Sequence, residues 1–355
     1  MASRVTIQDI ADALGVSRNT VSKAINNTPG LADATRDKIL RKAAELGYKQ
    51  FSYLNVMTPP APAPVTQESL PGGEIALFTR GFVDSSHFAA TMLDKFQREL
   101  SQMGYVMTMH QLTDQEMREL TLPPTFRLER TSGIVCVELF HADYAKMLGA
   151  LELPLLFVDG PARIEEPLPA DVLLMDNTVG ITQFVKHMLD TGRRRIGFIG
   201  PVEHCRSFME RYLAYRNALF TCGGAAEDRF CITGTYQDQE YPTDDDYRQY
   251  LKEQLTAMEE LPDVFICAND ALAVRTMFAL DDLGVKMPEQ VQLCGFDDFP
   301  NAKIVTPALT TIHIHSQTMG LSACHLIMSR IREPALNFRT TYVETNLIYR
   351  QSAPF

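Results

Sequence analysis

Apolar residues recur at helical spacing near the start of the chain and as short unbroken runs further on. The two textures predict two kinds of domain. Between Val5 and Asn26, VTIQDIADALGVSRNTVSKAIN places Ile7, Ile10, Ala11 and Leu14 on one face of a first helix, and Val21, Ala24 and Ile25 on one face of a second. Thr6 and Asp9 form a capping-box pattern before the first helix, and Ser17 is placed to cap the second. Gly15 sits between them, where a side chain would obstruct the turn. A third helix is expected from about Asp33 to Leu46, with Ile39, Leu40, Ala43 and Leu46 inward and Gly47 just past its end. Thr58 to Gly73 then holds five prolines and ends in two glycines. That composition excludes a regular helix or central strand and reads as a semi-rigid linker.

From Glu74 the pattern changes. EIALFT (74–79), YVMTMH (105–110), GIVCVEL (133–139), PLLFVDG (154–160) and DVLLMDN (171–177) alternate with amphipathic or loop segments. A second series follows, RIGFIGP (195–201), FCITG (230–234), VFICAND (264–270) and VQLCGFDD (291–298), with helices expected near Phe208–Cys222, Asp246–Glu260 and Ala271–Leu283. Apolar runs alternating with helices predict parallel sheets covered on both faces, and two series predict two α/β lobes.

At 355 residues the chain is long enough for two or three domains, and its 45% hydrophobic content supports a globular core. No apolar run approaches the ~18 residues of a membrane span. The start lacks a signal-peptide pattern, so the cytoplasm is the expected location. The seven cysteines form no CxxC pair and read as reduced core thiols, Cys222 and Cys231 included. The net charge of −11 by itself argues against nucleic acid, but residues 1–50 hold eight Lys/Arg against five Asp/Glu. A basic head on an acidic body suits a protein that meets DNA with one end only.

The outward face of the second helix carries Arg18, Asn19, Ser22, Lys23 and Asn26 and no acid. Such donors are what a helix entering the DNA major groove requires. The bland alternative is a helical hairpin packed on something larger. In the body, polar residues recur just after the apolar runs: Arg80, Asp159, Asp176 and Asn177, Asn269 and Asp270, and Asp297 and Asp298, with Arg211 on a following helix. Singly these are turn and cap residues. Their recurrence where α/β folds bind ligands points to a shared small-molecule site. Asp297 and Asp298, being adjacent, should point apart, one into a pocket and one as a cap.

No GxGxxG after a strand, P-loop, GxSxG or HExxH is present, so an enzyme is the weaker reading. His313 and His315 alternate on a strand without a third ligand, and neither a metal nor a cofactor is expected. The acidic stretch Tyr236–Tyr250 reads as a solvated loop entering a helix.

VTIQDIADALGVSRNTVSKAIN, TRDKILRKAAELGY, CAND and GFDD together resemble the LacI/GalR family of bacterial transcription regulators. The resemblance implies a helix-turn-helix head over 1–49, an atypical hinge and Pro-rich linker over 50–73, and a two-lobed body over 74–355 like periplasmic sugar-binding proteins. Lobe one is expected at about 74–170 plus 299–325, and lobe two at about 171–298 plus 326–355. It implies a homodimer or higher oligomer on operator DNA and a carbohydrate-like effector between the lobes. By position, Arg18, Asn19 and Lys23 match the base-reading residues. Thr6, Ser17, Thr20, Ser22, Asn26, Thr35 and Tyr48 match phosphate or positioning contacts. Arg80, Phe88, Asp159, Arg211, Asn269 and Asp297 fall where the family binds effector. Where the family has a Pro-Asn pair and an Ala-rich hinge helix, this chain has YKQFSYLNVM, which leaves Leu54 or Met57 as the minor-groove wedge. The family's Arg-x-x-Gly is Arg211-Tyr-Leu-Ala214, with Arg206 and Arg216 as alternatives. A looser coupling of head and body is the expected consequence. Rival functions are a cytoplasmic α/β enzyme, a transport binding protein, or an activator.

Overall fold

The computed structural model describes residues 5–25, 35, 38, 39, 42, 43, 45, 46, 73–81, 87–163, 167–235 and 244–355. The chain divides into two compact units, Met1–Ser69 and Leu70–Phe355.

In the first unit, α1 (Ile7–Leu14) and α2 (Arg18–Ile25) form where the capping residues place them. The Thr6 hydroxyl accepts from the Asp9 amide at 3.3 Å, and Asp9 accepts from the Thr6 amide at 2.7 Å. Gly15 turns the chain at φ 65°, in the left-handed region. Ser17 Oγ accepts from the Thr20 amide at 3.0 Å. Ile10, Ala11, Val21 and Ala24 are buried with Ile39 and Ala43, two residues of a further helical stretch. Leu40, Gly47, Tyr48, Asn26, Leu54, Met57 and nearly all of the Pro-rich segment lie outside the described residues.

In the second unit, a six-stranded sheet runs β11-β5-β4-β3-β1-β2, parallel throughout. Its strands are β1 (Glu74–Thr79), β2 (Val106–Gln111), β3 (Thr131–Val137), β4 (Leu155–Val158), β5 (Asp171–Met175) and β11 (Thr340–Val343). Helices α3 (His87–Gln102), α4 (Asp114–Glu119) and α5 (Ala142–Gly149) fall between its strands, and α10 (Ser316–Arg332) packs against α3 and the sheet. A four-stranded parallel sheet runs β7-β6-β8-β9, from β6 (Ile196–Ile199), β7 (Cys231–Ile232), β8 (Val264–Cys267) and β9 (Gln292–Cys294). With it lie α6 (Val179–Asp190), α7 (Arg206–Thr221), α8 (Asp244–Ala257) and α9 (Asp270–Asp282). An antiparallel pair, β10 (Thr311–Ile314) with β12 (Thr345–Ile348), joins this side through bridges from Cys294 to Thr310 and from Asp297 to His313.

The parallel sheets are as expected, but the lobe boundaries need correction. Asp171–Met175 pairs with β4 and β11 and so belongs to the first lobe. The segment 300–314 lies with the second lobe, whereas α10 and β11 return to the first. The reason is sheet pairing: β5 completes the first sheet before the chain leaves it, and the edge strand β11 comes from far along the chain. The chain therefore passes between lobes near Asp176, His315 and Glu344. These passages are tied together: the Asp176 amide donates to Val343 O at 2.7 Å, the Thr345 hydroxyl donates to Asp176 O at 2.8 Å, and His315 Nε2 meets Asn346 Oδ1 at 2.6 Å.

Two buried ionic clusters hold the lobes internally. Asp171 receives both Arg330 and Arg339, and although burial alone would raise its carboxyl, their hydrogen bonds hold it below the usual range. Asp298 meets Arg350 at 2.5 Å and His313 at 3.0 Å, with Lys303 at 3.5 Å. Here too those partners outweigh the burial and lower the carboxyl.

Candidate functional site

The head presents its candidate DNA face by the geometry of α2 alone. Val21 and Ala24 point into the core, and this leaves Arg18, Asn19 and Lys23 exposed on the opposite side. The hydroxyls of Ser17 and Thr20 hydrogen-bond each other at 2.7 Å, and the Thr6 side chain is engaged with Asp9. All three hydroxyls are thus positioned by local capping. Ser22 is half-buried, and Thr35 is helical.

In the body, the strand-end residues gather at the carboxyl ends of both sheets. In the first sheet, β1 lies between β2 and β3, so the chain order reverses there; in the second, β6 lies between β7 and β8. Ligands of open α/β sheets bind at such switch points. Arg211, one turn into α7, is 3% exposed. Its Nε donates to Asn177 Oδ1 at 2.9 Å and its Nη1 to the Ala268 carbonyl at 2.6 Å. Its guanidinium lies 3.6 Å from the centre of the Phe296 ring and its Nη1 3.5 Å from Asp297. Of the three candidate arginines, Arg211 is the one that meets Asp297. Arg206 pairs with Glu210, and Arg216 with Asp228 and Tyr212.

Asp297 faces Arg211 from the end of β9. Its side chain keeps 26% of its surface, but the surrounding burial pushes its carboxyl up to about 7. Arg211 pulls this down, and Glu138 and Asp159 push it further up. Glu138, Asp159 and Asp297 each sit at positive φ (54°, 62° and 115°). Non-glycine residues in that region cost about 1–3 kcal/mol each and cluster at functional sites. Asp298 turns away from the cleft to Arg350 and His313. The adjacent pair does point apart, but the second member is an ion-pair clamp and not a helix cap.

Asp159 reaches across from the first lobe. Its Oδ1 accepts from the Gly160 amide at 2.9 Å and from the Ser207 amide at 3.0 Å, in the first turn of α7. Burial raises its carboxyl despite these donors. Around it the lobes touch directly: the Arg206 amide donates to Gly160 O at 2.9 Å, and Tyr342 OH donates to Glu210 at 3.0 Å. The Phe140 and His204 rings meet edge-on at 5.0 Å. Burial between aromatic rings lowers His204 to about 4, aided by the charge of Arg80, so it is a neutral ring near pH 7.

The remaining expectations divide. Asn269 caps α9 through its Oδ1, which accepts from Leu272 N at 2.9 Å, and Asp176 accepts from the amides of Thr178 and Val179 at the start of α6. The bland reading of strand-end residues is thus correct for part of each side chain. Arg80 pairs with Asp114 at 3.1 Å and reaches the cleft through its field on His204. Phe88 is half-buried against the main core. His313 and His315 lie with their rings 4.9 Å apart but turn to Asp298 and Asn346, and no metal-ligand cluster occurs among the described residues. All seven cysteines are free thiols.

Glu138, Phe140, His204, Phe208 and Phe296 are the residues missed from sequence. Glu138 had a usable signal, since it follows GIVCV as Asp159 follows PLLFV. The rings had no such signal: Phe208 on α7 and Phe296 before Asp297 read as core residues, and only the facing of the lobes brings Phe140 against His204.

Comparison with known proteins agrees with both units. Residues 6–50 match the model for bacterial regulatory proteins of the lacI family, and residues 185–353 match a periplasmic binding protein-like domain. The chain is 28% identical to the HTH-type transcriptional regulator GalR of Lacticaseibacillus casei, over 98% of this chain and 99% of the relative. Among solved structures, the transcriptional regulator CelR–cellobiose complex superposes with a TM-score of 0.68 at 23% identity, over 99% of this chain and 100% of that one. The lac repressor dimer bound to operator and the anti-inducer ONPF superposes with a TM-score of 0.64 at 19% identity, over the same shares. These two establish the fold. No helix among the described residues is long and apolar enough to cross a membrane.

Proposed function

Because the chain belongs to the LacI family of DNA-binding transcription regulators, with that family's head and a periplasmic-binding-protein-like body, we propose that it is a repressor governed by a small effector held between its two lobes. It acts in the cytoplasm as a homodimer, and each chain offers one head to a half-site. Arg18, Asn19 and Lys23 read bases in the major groove, and the hydroxyls of Thr6, Ser17, Thr20 and Ser22 set the head's position on the phosphates. No catalytic role is assigned to the body.

The observation that carries the effector reading is the meeting of Arg211 and Asp297 in the second lobe with Asp159 and Glu138 at strand ends of the first. Arg211 is a fixed donor, Asp297 an acceptor whose surface is still open, and Phe140, Phe208 and Phe296 are apolar faces beside them. Donors, acceptors and ring faces in one cleft suit a hydroxyl-rich molecule, and a sugar or sugar derivative fits best. A protein of the same fold is known with cellobiose bound. An effector hydroxyl that donates to Asp297 favours its ionised form, so binding and the charge of that carboxyl are coupled.

The test is a thermal-shift screen of the full chain over sugars, sugar phosphates and nucleosides, followed by operator binding with and without the hit. A ligand of the folded state raises the melting temperature by mass action. Asp297→Ala should abolish the effector response and leave operator affinity near wild type. Unchanged effector affinity of Asp297→Ala in calorimetry would remove the cleft assignment.

A further inference from the structure

The second lobe has another concavity, at the opposite ends of its strands. It is lined by the last turn of α6 and the turn after it (His187, Thr191, Arg193), by Asp263 just before β8, by Gln292 at the first position of β9, and by Phe355. The cleft residues Asn269 and Asp297 follow the carboxyl ends of those same strands, so the concavity lies a full strand length away, roughly 13 Å. Its volume is about 410 Å3, within the roughly 300–1,000 Å3 of small-molecule sites.

Gln292 is 5% exposed, and its Oε1 has no hydrogen-bond partner among the described residues. A buried acceptor without a donor costs about 1–3 kcal/mol, so a ligand N–H that meets it on a turn of the side chain into the concavity gains by relieving it. Phe355 is 88% exposed, yet its ring stacks on His187 at 4.7 Å with only 6° between the planes, and Tyr349 braces both rings edge-on. A flat aromatic lip thus stands beside a carboxamide, with Arg193 in the same lining.

The other polar groups there are already used. Asp263 accepts from Arg195 and from the amides of residues 194 and 195, and the Thr191 hydroxyl donates to helix carbonyls. A sugar would leave most of its hydroxyls unmet. A planar heterocycle needs few polar contacts, and a carboxamide pairs donor and acceptor with a nucleobase edge. We infer that this concavity is a second ligand site, separate from the effector cleft, that takes a nucleotide: its base on the Gln292 carboxamide and the His187–Phe355 lip, its phosphate at Arg193.

The experiment is isothermal titration of the full chain with AMP, GMP, CMP and UMP and with the matching nucleosides. At least one nucleotide should bind, and its nucleoside more weakly. Gln292→Leu and Arg193→Ala should each weaken the nucleotide by about tenfold or more, as loss of a hydrogen bond to a buried or charged group implies. Arg193→Ala changes a half-buried residue at the lining and serves if Gln292→Leu does not fold. Asp297→Ala should leave nucleotide binding within about twofold, since it alters only the cleft. No binding of any nucleotide at millimolar concentration would overturn the inference. So would loss of binding in Asp297→Ala with retention in Arg193→Ala, which would place the nucleotide in the cleft.

Discussion

Replacing Asp297 by asparagine isolates the electrostatic state of the cleft between the lobes. The wild-type carboxyl sits at about 7, against 3.8 for an ordinary aspartate. A rise of about three pH units at 1.36 kcal/mol each amounts to about 4 kcal/mol. The sign follows from proton linkage. Between pH 4 and 7 the unfolded chain has released this proton and the folded chain has kept it, so folding stability falls as pH rises and levels off above 7. Asp297→Asn has no proton to lose. Its unfolding free energy should match the wild type near pH 4.5 and exceed it by up to about 4 kcal/mol at pH 8. Relief of Asp270, which is pushed up by its own burial and then by Asp297, adds in the same direction. Urea unfolding of both proteins from pH 4.5 to 8.5 measures the difference directly, and effects common to the two chains cancel. Parallel stability curves across that range would mean that Asp297 ionises normally and that the cleft does not desolvate it.

Three further outcomes are expected. Arg18→Ala should change which operator is selected, by about 1–3 kcal/mol at one base position, whereas Ser22→Ala should weaken binding about equally across sequences; an unchanged operator from Arg18→Ala in a selection experiment would remove it from the reading set. Arg350→Met should cost about 3 kcal/mol in urea unfolding at pH 7, the low end for breaking a buried pair because His313 and Lys303 stay near Asp298. Asp298 is held below the ordinary range, so its contribution is complete above the usual aspartate pKa and is lost on acidification below it; a cost that did not shrink at low pH would contradict the clamp. The departure from the family's hinge pattern should keep the effector's influence on operator affinity below roughly a hundredfold, in titrations of labelled operator, and a larger factor would refute loose coupling.

The helical head and the α/β body were legible from local pattern, because capping and hydrophobic periodicity act within a few residues. Thr6, Asp9, Gly15 and Ser17 settle the head by themselves. Parallel strands buried on both faces are necessarily apolar runs, so β1 to β9 could be read in order as well, whereas the half-exposed β11 and β12 could not. Strand-end position was also informative for Asp159 and Asp297, which meet Arg211 of α7 at one cleft. It could not tell a ligand contact from a cap, since both need the same residue types at the same place, and Asn269 and Asp176 both bond helix-start amides.

The lobe boundaries, the partners of Arg211 and the orphaned acceptor of Gln292 were decided only in three dimensions. Strand pairing brings Thr340–Val343 against Asp171–Met175 across a long stretch of chain, and no local signal records that choice. Phe140 and His204 meet because two lobes face each other, and Asp297 departs from an ordinary aspartate because of what surrounds it. Residue identity determined which chemistry was available, whereas burial and charge neighbours, which are properties of the packed whole, determined how each group uses it.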